Sequence, residues 1–381
     1  MPADTRGNMI SSYAQKVLLA VCLCLSMMIE VSADTPDDFY IQQVLDRYYT
    51  TPNDVQGLSL AGASIPVCSG AACLSNNPAG LGWMIDNQLY VDAGKTSLDG
   101  NDQTTGAPIT QNTTLGSGVL GIPLGATEPT PKYGTLGLGF SRYQGDTDDS
   151  VGTIPDGHRR SIGYGYALTP TIALGYGLTF YDDQLNTRQA DLHSHARFLH
   201  IFGAQYKASQ NLLLGATFQL GVGQADAEDY TLQSDGLARP REYLFQLGAR
   251  YGISSGSLFG ASRIRLLESP SNFEEVSEQV FVGGEEEGYE AELSVGFEYD
   301  RLEMIKPRIG VRYRYVDYTF ERENARSLSG TVNEVAGAFG LSFLLPKLWD
   351  APSAPRLDIG LDVGSFARGW AEGRGALIVP F

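Results

Sequence analysis

Histidines are the first residues to consider for chemistry, and the chain has four, two of which lie close together. His193 and His195 fall on the same face of an extended segment, where they offer two imidazole ligands to a metal ion. Ser194 lies between them but points to the opposite face, so neither histidine can activate it as a nucleophile. The sequence therefore predicts no enzyme, and a solvated surface pair is the favoured interpretation of the two histidines.

Two short acidic runs are further candidates for metal binding. Asp146-Thr-Asp148-Asp149 and Glu285-Glu-Glu287 bring carboxylates together, and carboxylate oxygens are the ligands that calcium prefers. Neither run has the ordered spacing of a calcium loop, so both are interpreted as solvated loop charge. No metal ion and no cofactor is expected.

Six charged residues alternate with apolar neighbours on two consecutive segments. If these segments are adjacent strands, the acidic set faces the basic set across the pair. One interpretation is a structural network of ion pairs. The other is a polar track, in which an arginine binds the carboxylate of a ligand. The residues are Glu290, Glu292 and Glu298 on the first segment and Arg308, Arg312 and Arg314 on the second.

Composition limits the class of protein that must position these residues. The chain has 381 residues, a formal net charge of −17, 45 glycines, 20 tyrosines and 16 phenylalanines. The acidic balance argues against a nucleic-acid partner, which would select a basic surface. Beyond residue 30, no apolar run approaches the about 20 residues that a membrane helix requires. The mean hydropathy of −0.14 fits strands with one apolar and one polar face.

The N-terminus has the pattern of an export signal. Lys16 precedes an apolar run, Val17 to Ile29, that is too short to span a membrane. Val31-Ser32-Ala33 then supplies a cleavage site of the small-x-small type. Residues 1–33 are therefore predicted to be a signal peptide that is removed from the mature protein.

Residues 34–86 have the pattern of a compact segment ahead of the first strand. Asp37 to Tyr49 shows the apolar spacing of a short helix, and small residues predominate after it. Cleavage of the signal removes the first two cysteines of the chain and leaves Cys68 and Cys73. Two neighbouring cysteines in an exported protein are predicted to form a disulfide bond.

From residue 87 onward, polar and apolar residues alternate with the period of a β-strand. Between Tyr289 and Tyr299, apolar residues occupy the odd positions and Glu, Ser or Gly the even ones. Tight turns such as Ser254-Ser255 alternate with long polar connections such as 182–193. The prediction is an all-β fold, in which residues 87–381 form a transmembrane antiparallel barrel of about 14 strands. The alternative, if one hairpin is lost, is a barrel of about 12 strands.

A motif precedes the first strand. Asn77-Pro78-Ala79-Gly80-Leu81 follows the small-residue run Gly57 to Ala63, and this arrangement resembles the FadL/TodX family of outer-membrane channels. The resemblance implies that residues 34–86 form a hatch that plugs the barrel, with Asn77, Pro78, Ala79 and Gly80 as its motif. It also implies passive uptake of hydrophobic small molecules, such as long-chain fatty acids, through movement of the hatch.

The resemblance further implies lateral exit of the ligand through a gap beside a kinked third strand. The third strand is predicted at Lys132 to Arg142, where Gly134, Gly137 and Gly139 permit a kink or a bulge.

The implied location is the bacterial outer membrane. The expected partners are a hydrophobic ligand, outer-membrane lipid and the barrel-assembly machinery, which reads a C-terminal strand ending in an aromatic residue such as Phe381. A monomer is expected. Two alternatives stay open at this point: a porin for polar solutes, and a structural barrel that carries no cargo.

Overall fold

The computed structural model describes residues 54–101, 108–125, 130–147, 154–186, 191–225, 241–271, 284–322, 328–347, 353–364 and 370–381. The predicted signal peptide and the helix expected at Asp37 to Tyr49 lie outside these residues. Within the described ranges, no helix combines the length and the hydropathy needed to cross a membrane.

Fourteen antiparallel strands in the described residues form one closed barrel, in which sequence neighbours pair and β1 pairs with β14. The prediction of a 14-stranded barrel is confirmed, and the alternative with two strands fewer is wrong. The strands are β1 (Gln88–Asn101), β2 (Pro108–Pro123), β3 (Thr135–Thr147), β4 (Ile154–Ala167), β5 (Ile172–Asn186), β6 (Asp191–Lys207), β7 (Leu212–Ala225), β8 (Arg241–Ile253), β9 (Gly256–Ser271), β10 (Gly284–Tyr299), β11 (Ile305–Arg322), β12 (Leu328–Leu344), β13 (Arg356–Gly364) and β14 (Trp370–Pro380).

The two rims of the barrel differ in their connections. At the near rim, where β1 begins and β14 ends, the tight turn Ser254-Ser255 joins β8 to β9. At the far rim, strands continue into segments that the sequence suggested were loops. The expected connection 182–193 is strand as far as Asn186 and again from Asp191. Backbone hydrogen bonds extend these strands, and they do not require the side chains to be apolar.

Alternation along the strands separates a polar inner face from an apolar outer face. On β10, Glu290 and Glu292 are buried inside the barrel, whereas Leu293 and Val295 are 63% exposed on the outside. Exposed apolar side chains occur on the outer face of every strand from β3 to β14. An apolar exterior of this extent is typical of a barrel that faces lipid.

Residues 54–86, the described part of the predicted hatch, lie inside the barrel towards the near rim. They contain α1 (Val55–Ser59) and three short 3-10 helices, Ile65–Val67, Ala71–Ser75 and Pro78–Trp83. α1 packs against β11 to β14, and the third 3-10 helix packs against β3 to β6 on the opposite side. The hatch therefore spans the lumen, and the predicted plugged barrel is confirmed.

Glycine occupies inward positions of the wall where the hatch touches it. A Cβ atom added at Gly165 would lie 2.5 Å from Pro78 O, and one at Gly296 would lie 2.8 Å from Leu60 Cδ2. Several of these glycines face one another across neighbouring strands. Larger residues would therefore push the hatch away from the wall. This glycine belt consists of Gly121, Gly137, Gly139, Gly163, Gly165, Gly175, Gly177, Gly203, Gly215, Gly248, Gly296, Gly310, Gly340 and Gly360.

The three glycines expected to kink the third strand have two different roles. Gly134 lies before β3, not in it, and adopts a φ of 74° that side chains rarely permit. Gly137 and Gly139 lie within β3, where they make room for Leu74 of the hatch. In the described residues, β3 pairs with both β2 and β4 without a shift of register.

The glycine belt predicts a specific steric effect. Gly215→Ala places a methyl group against the backbone of Pro66, and we expect it to lower the free energy of unfolding by about 1–3 kcal/mol through overpacking. Urea unfolding of the barrel refolded into phospholipid vesicles measures this change. Gly373→Ala is the matched control, because a Cβ at Gly373 meets no atom within 4 Å in the described residues. Equal stability of the two variants would contradict the close contact.

Candidate functional site in the hatch and lumen

Asn77 joins the hatch to the barrel wall. Its side chain is fully buried, and Nδ2 donates to Pro66 O at 2.6 Å and to the strand carbonyls of Ala204 and Ala216, each at 3.3 Å. Its Oδ1 accepts a hydrogen bond from Ala79 N at 3.1 Å and so caps the third 3-10 helix. The side-chain amide of Asn77 therefore forms hydrogen bonds with both the hatch and the wall.

The residues after Asn77 are restricted by their contacts. Pro78 holds the first position of the 3-10 helix, where a missing N–H costs no hydrogen bond. A disulfide bond joins Cys68 to Cys73. A Cβ atom on Gly80 would lie 2.7 Å from Cys68 O and would overlap the sulfur of Cys73, so this disulfide loop packs directly on the glycine. Ala79 is completely buried. The motif is thus part of the contact between hatch and wall.

Gln205 on β6 makes the complementary contact from the wall. It is almost fully buried, and Nε2 donates to Cys68 O at 2.9 Å and to Pro66 O at 3.3 Å. Its Oε1 accepts a hydrogen bond from the indole of Trp83 at 2.8 Å. The inward parity of β6 places it there, but a single glutamine in an alternating strand gave no signal of this role.

Asp54 holds the other side of the hatch. Its carboxylate caps α1 by accepting a hydrogen bond from Gly57 N, and it also accepts one from Asn76 Nδ2. Burial raises the pKa of the Asp54 carboxyl, and the hydrogen bond from Gly57 and the charge of Arg308 oppose this shift. Asp54 therefore stabilises the hatch through hydrogen bonds and also interacts electrostatically with Arg308 of the wall.

The lumen wall on β9 to β14 and β1 is lined by charged residues. Each of the three glutamates expected to face arginines meets one of them: Glu298 Oε2 lies 2.6 Å from Arg308 Nε, and similar pairs join the other two glutamates to Arg314 and Arg312. Opposite charges alternate across the strands, so most charges have two or more partners. The charged wall comprises Asp92, Arg263, Arg265, Glu290, Glu292, Glu298, Arg308, Arg312, Arg314, Glu334, Asp358, Asp362, Glu372 and Arg374.

Arg312 lies among three acids of the charged wall. Its guanidinium lies 3.1 Å from Glu334, 3.2 Å from Asp362 and 3.7 Å from Glu292. It also lies 5.5 Å from the ring centroid of Trp370. A guanidinium surrounded by three acids is held by the wall itself, which favours the structural interpretation of this network over a free ligand-binding arginine.

Part of the opposite side of the lumen is apolar and aromatic. Tyr143, Tyr181, Leu199 and Ile201 face inward on β3, β5 and β6 and are buried. Arg159 on β4 lies against two of these rings, with its guanidinium 5.6 Å from the centroid of Tyr143 and 4.8 Å from that of Tyr181. We call Tyr143, Tyr181, Leu199 and Ile201 the apolar wall. They provide a surface suited to a hydrophobic solute inside an otherwise charged lumen.

The remaining candidates from the sequence do not form a site in the described residues. His193 and His195 belong to β6, Asp146 to β3 and Glu285 to Glu287 to β10, but their side chains are outside the described part, as are Asp148 and Asp149. No group of three or more His, Cys, Asp or Glu residues in the described ranges is arranged to hold a metal.

One sequence pattern was missed. Gly252-Ile-Ser254-Ser-Gly256 has the letters of a Gly-x-Ser-x-Gly nucleophile elbow, but Ser254 lies in the two-residue turn between β8 and β9. A nucleophile elbow joins a strand to a helix, whereas this turn joins two antiparallel strands.

Comparison with known proteins identifies the fold. No protein-family model and no curated protein matches the sequence. Among solved structures, the chain is similar to a FadL homologue of Pseudomonas aeruginosa, with a TM-score of 0.57 and 13% identity over 86% of this chain and 97% of that chain. It is also similar to the Pseudomonas putida toluene transporter TodX, with a TM-score of 0.51 and 11% identity over 84% and 96%. The chain therefore has a FadL/TodX-type fold.

Sequence reasoning identified only part of the charged wall. It placed the six residues of β10 and β11, because their alternation is regular over a long stretch. It did not find their partners Arg263, Glu334 and Asp362, which lie on strands β9, β12 and β13. Barrel closure also brings Asp92 of β1 within 3.6 Å of Arg374 on β14, across almost the whole chain length.

Arg312→Met tests the cost of breaking the charged wall. The substitution leaves three buried acids without this partner, so we expect the free energy of unfolding to fall by about 3–5 kcal/mol. Lys306→Met is the control, because its ion pair with Asp300 is partly exposed and should cost less than about 1 kcal/mol. Urea unfolding in vesicles compares the two, and an Arg312→Met protein as stable as the control would contradict this structural role of Arg312.

The pKa of Asp54 predicts a pH dependence. Because its folded-state pKa is raised, the folded protein binds the proton more tightly than the unfolded chain does. The contribution of Asp54 to stability is therefore largest at low pH and falls as the pH rises from about 4 through the raised pKa. Thermal unfolding of the wild type should lose more stability over this range than that of Asp54→Asn. Identical pH profiles would argue against the effect.

Proposed function

We propose that the protein is a bacterial outer-membrane channel for passive uptake of hydrophobic small molecules, such as long-chain fatty acids. The observation that carries this proposal is a closed barrel with an apolar exterior, plugged from within by its own N-terminal segment. An apolar solute gains about 25 cal/mol per Å² of apolar area when it leaves water for such an interior.

The two sides of the lumen support a hydrophobic cargo. The apolar wall gives such a solute a surface to follow, whereas the charged wall opposite is already neutralised by its own ion pairs. Two solved structures of similar fold are named a FadL homologue and a toluene transporter. Those names apply to these proteins, and the proposal extends a hydrophobic cargo of the same kind to this chain.

The hatch must move for a solute to pass. The hatch is held by the hydrogen bonds of Asn77, Gln205 and Asp54. Asn77 and Gln205 join it to the wall, and Asp54 joins parts of the hatch to one another. These hydrogen bonds can break and reform one at a time. In the described residues, lateral exit beside β3 would require β3 to separate from β2 or β4, with which it is continuously paired. Uptake is therefore proposed to depend on movement of the hatch.

Uptake of radiolabelled oleate by a bacterial strain that lacks its own fatty-acid channel tests the proposal. Expression of the protein should restore uptake, and Gly175→Val, which drives the wall into Pro78 and Ala79, should change the rate. Gly118→Val is the matched control, because a Cβ there meets nothing within 4 Å among the described residues. No uptake by correctly folded wild-type protein would refute the proposal.

Two rival functions predict different measurements. A porin for polar solutes should show a large conductance in a planar bilayer, whereas a barrel plugged by its hatch should show a small one. A structural barrel without cargo should bind neither oleate nor a neutral hydrocarbon. No enzyme activity is expected, and the protein is proposed to act as a monomer in outer-membrane lipid after insertion by the barrel-assembly machinery.

A further inference from the structure

A cavity of about 330 Å³ lies at the near rim between the hatch and the barrel wall. The hatch contributes Ala72, Trp83 and Met84, and the wall contributes Tyr90, Arg356 and Ile378. This volume is at the small end of the range for ligand pockets, which suits a small hydrophobic molecule or one end of a long chain.

The position of the cavity follows from a gap in the glycine belt. Around most of the barrel, the hatch lies directly against wall backbone at glycine. On β14 and β1, the inward positions at this height are Ala376, Ile378 and Tyr90. Their side chains pack against the hatch but hold it away from the wall, because the wall backbone can no longer approach. At the seam between β14 and β1, side chains and not glycine backbone therefore separate the hatch from the wall, and the cavity lies beside them.

The chemistry of the cavity is amphipathic. Its apolar lining is joined by one arginine, Arg356, at the start of β13. Arg356 Nη2 lies 3.0 Å from Asp358 Oδ2, but Arg356 Nε is buried and has no hydrogen-bond partner among the residues that the structure describes. A donor of this kind favours an anionic ligand group.

Two of the three acids that line the cavity already have partners other than a ligand. Asp358 is already shared with Arg308 at 3.4 Å and accepts a hydrogen bond from Ser342 at 2.5 Å. Asp54 accepts its two hydrogen bonds from within the hatch. Asp86 is a third lining acid. Arg356 therefore shares its counter-ion, Asp358, with Arg308.

A hydrogen bond joins α1 of the hatch to Tyr90, a wall residue that lines the cavity. Tyr90 Oη accepts a hydrogen bond from Val55 N at 3.0 Å and lies 3.3 Å from Asp92 of the charged wall. A displacement of α1 would break the hydrogen bond between Val55 and Tyr90 without separating any pair of strands.

We propose that this cavity is the release site of the channel, where a hydrophobic ligand with a carboxylate head group leaves at the near rim with its carboxylate on Arg356. The inference rests on the proposed function, since it assumes that such a ligand enters the lumen. It places the exit beside the hatch, between β13, β14 and β1, and it keeps the paired wall around β3 intact.

Trp83 provides an internal reporter of occupancy, because it lines the cavity and the chain has only three tryptophans. In a Trp349→Phe/Trp370→Phe background, in phospholipid nanodiscs, we expect dibromostearate to quench Trp83 fluorescence saturably. Absence of saturable quenching, in protein that still transports oleate in cells, would overturn the release site.

Arg356→Gln distinguishes the head-group contact. We expect the apparent Kd of dibromostearate to rise about ten- to a hundredfold, which corresponds to the loss of a charge-assisted hydrogen bond. The neutral methyl ester should bind both proteins equally. Lys306→Gln is the control, because Lys306 is a near-rim cation that does not line the cavity. An unchanged Kd in Arg356→Gln, or equal weakening by Lys306→Gln, would refute the role of Arg356.

Ala354→Trp separates failure of the site from failure of the proposed function. This substitution fills the partly exposed edge of the cavity, and we expect it to slow oleate uptake in cells at least severalfold. Leu302→Trp, an exposed near-rim position away from the cavity, should not. Normal uptake by Ala354→Trp would overturn the release site, whereas no uptake even by wild type would overturn the channel function instead.

Discussion

The close approach of the hatch backbone to the barrel wall is the constraint on which the rest of the structure depends. A closed barrel of this size encloses more space than its own side chains fill, and here the N-terminal segment occupies that space. The fit requires wall positions without a Cβ atom, such as Gly175 against Ala79 and Gly310 against Leu60. Many of the 45 glycines in the chain therefore have a steric purpose.

Electrostatics makes one side of the lumen rigid. Buried ion pairs contribute little net stability, because burial of the charges costs nearly what their attraction returns. Removal of one partner, however, leaves a buried charge uncompensated. The charged wall thus fixes the relative positions of β9 to β14, and α1 of the hatch is seated against the later of these strands. The third 3-10 helix, in contrast, meets the opposite side through glycine contacts and the amides of Asn77 and Gln205.

Because of these two kinds of contact, the hatch does not approach the barrel wall equally closely on all sides. Backbone contact at glycine holds most of its circumference, but at the seam of β14 and β1 side chains replace glycine and leave a cavity. The apolar wall and the near-rim cavity then lie at different levels of one lumen, with the hatch between them.

The sequence by itself indicated an antiparallel barrel of about 14 strands, with about 12 as the alternative, and the separation of most side chains onto two faces, because alternation and turn residues are local signals. It also identified Asn77-Pro78-Ala79-Gly80. It could not identify Gln205, Asp358 or the partners Glu334 and Asp362 of Arg312, since their role depends on which strands become neighbours in the barrel. It misplaced Gly134, because abundant glycine conceals which residue ends a turn and which makes room for Leu74. Only closure of the barrel around the hatch decided these contacts, since it brings together residues that are far apart in the chain, as Asp92 and Arg374 show.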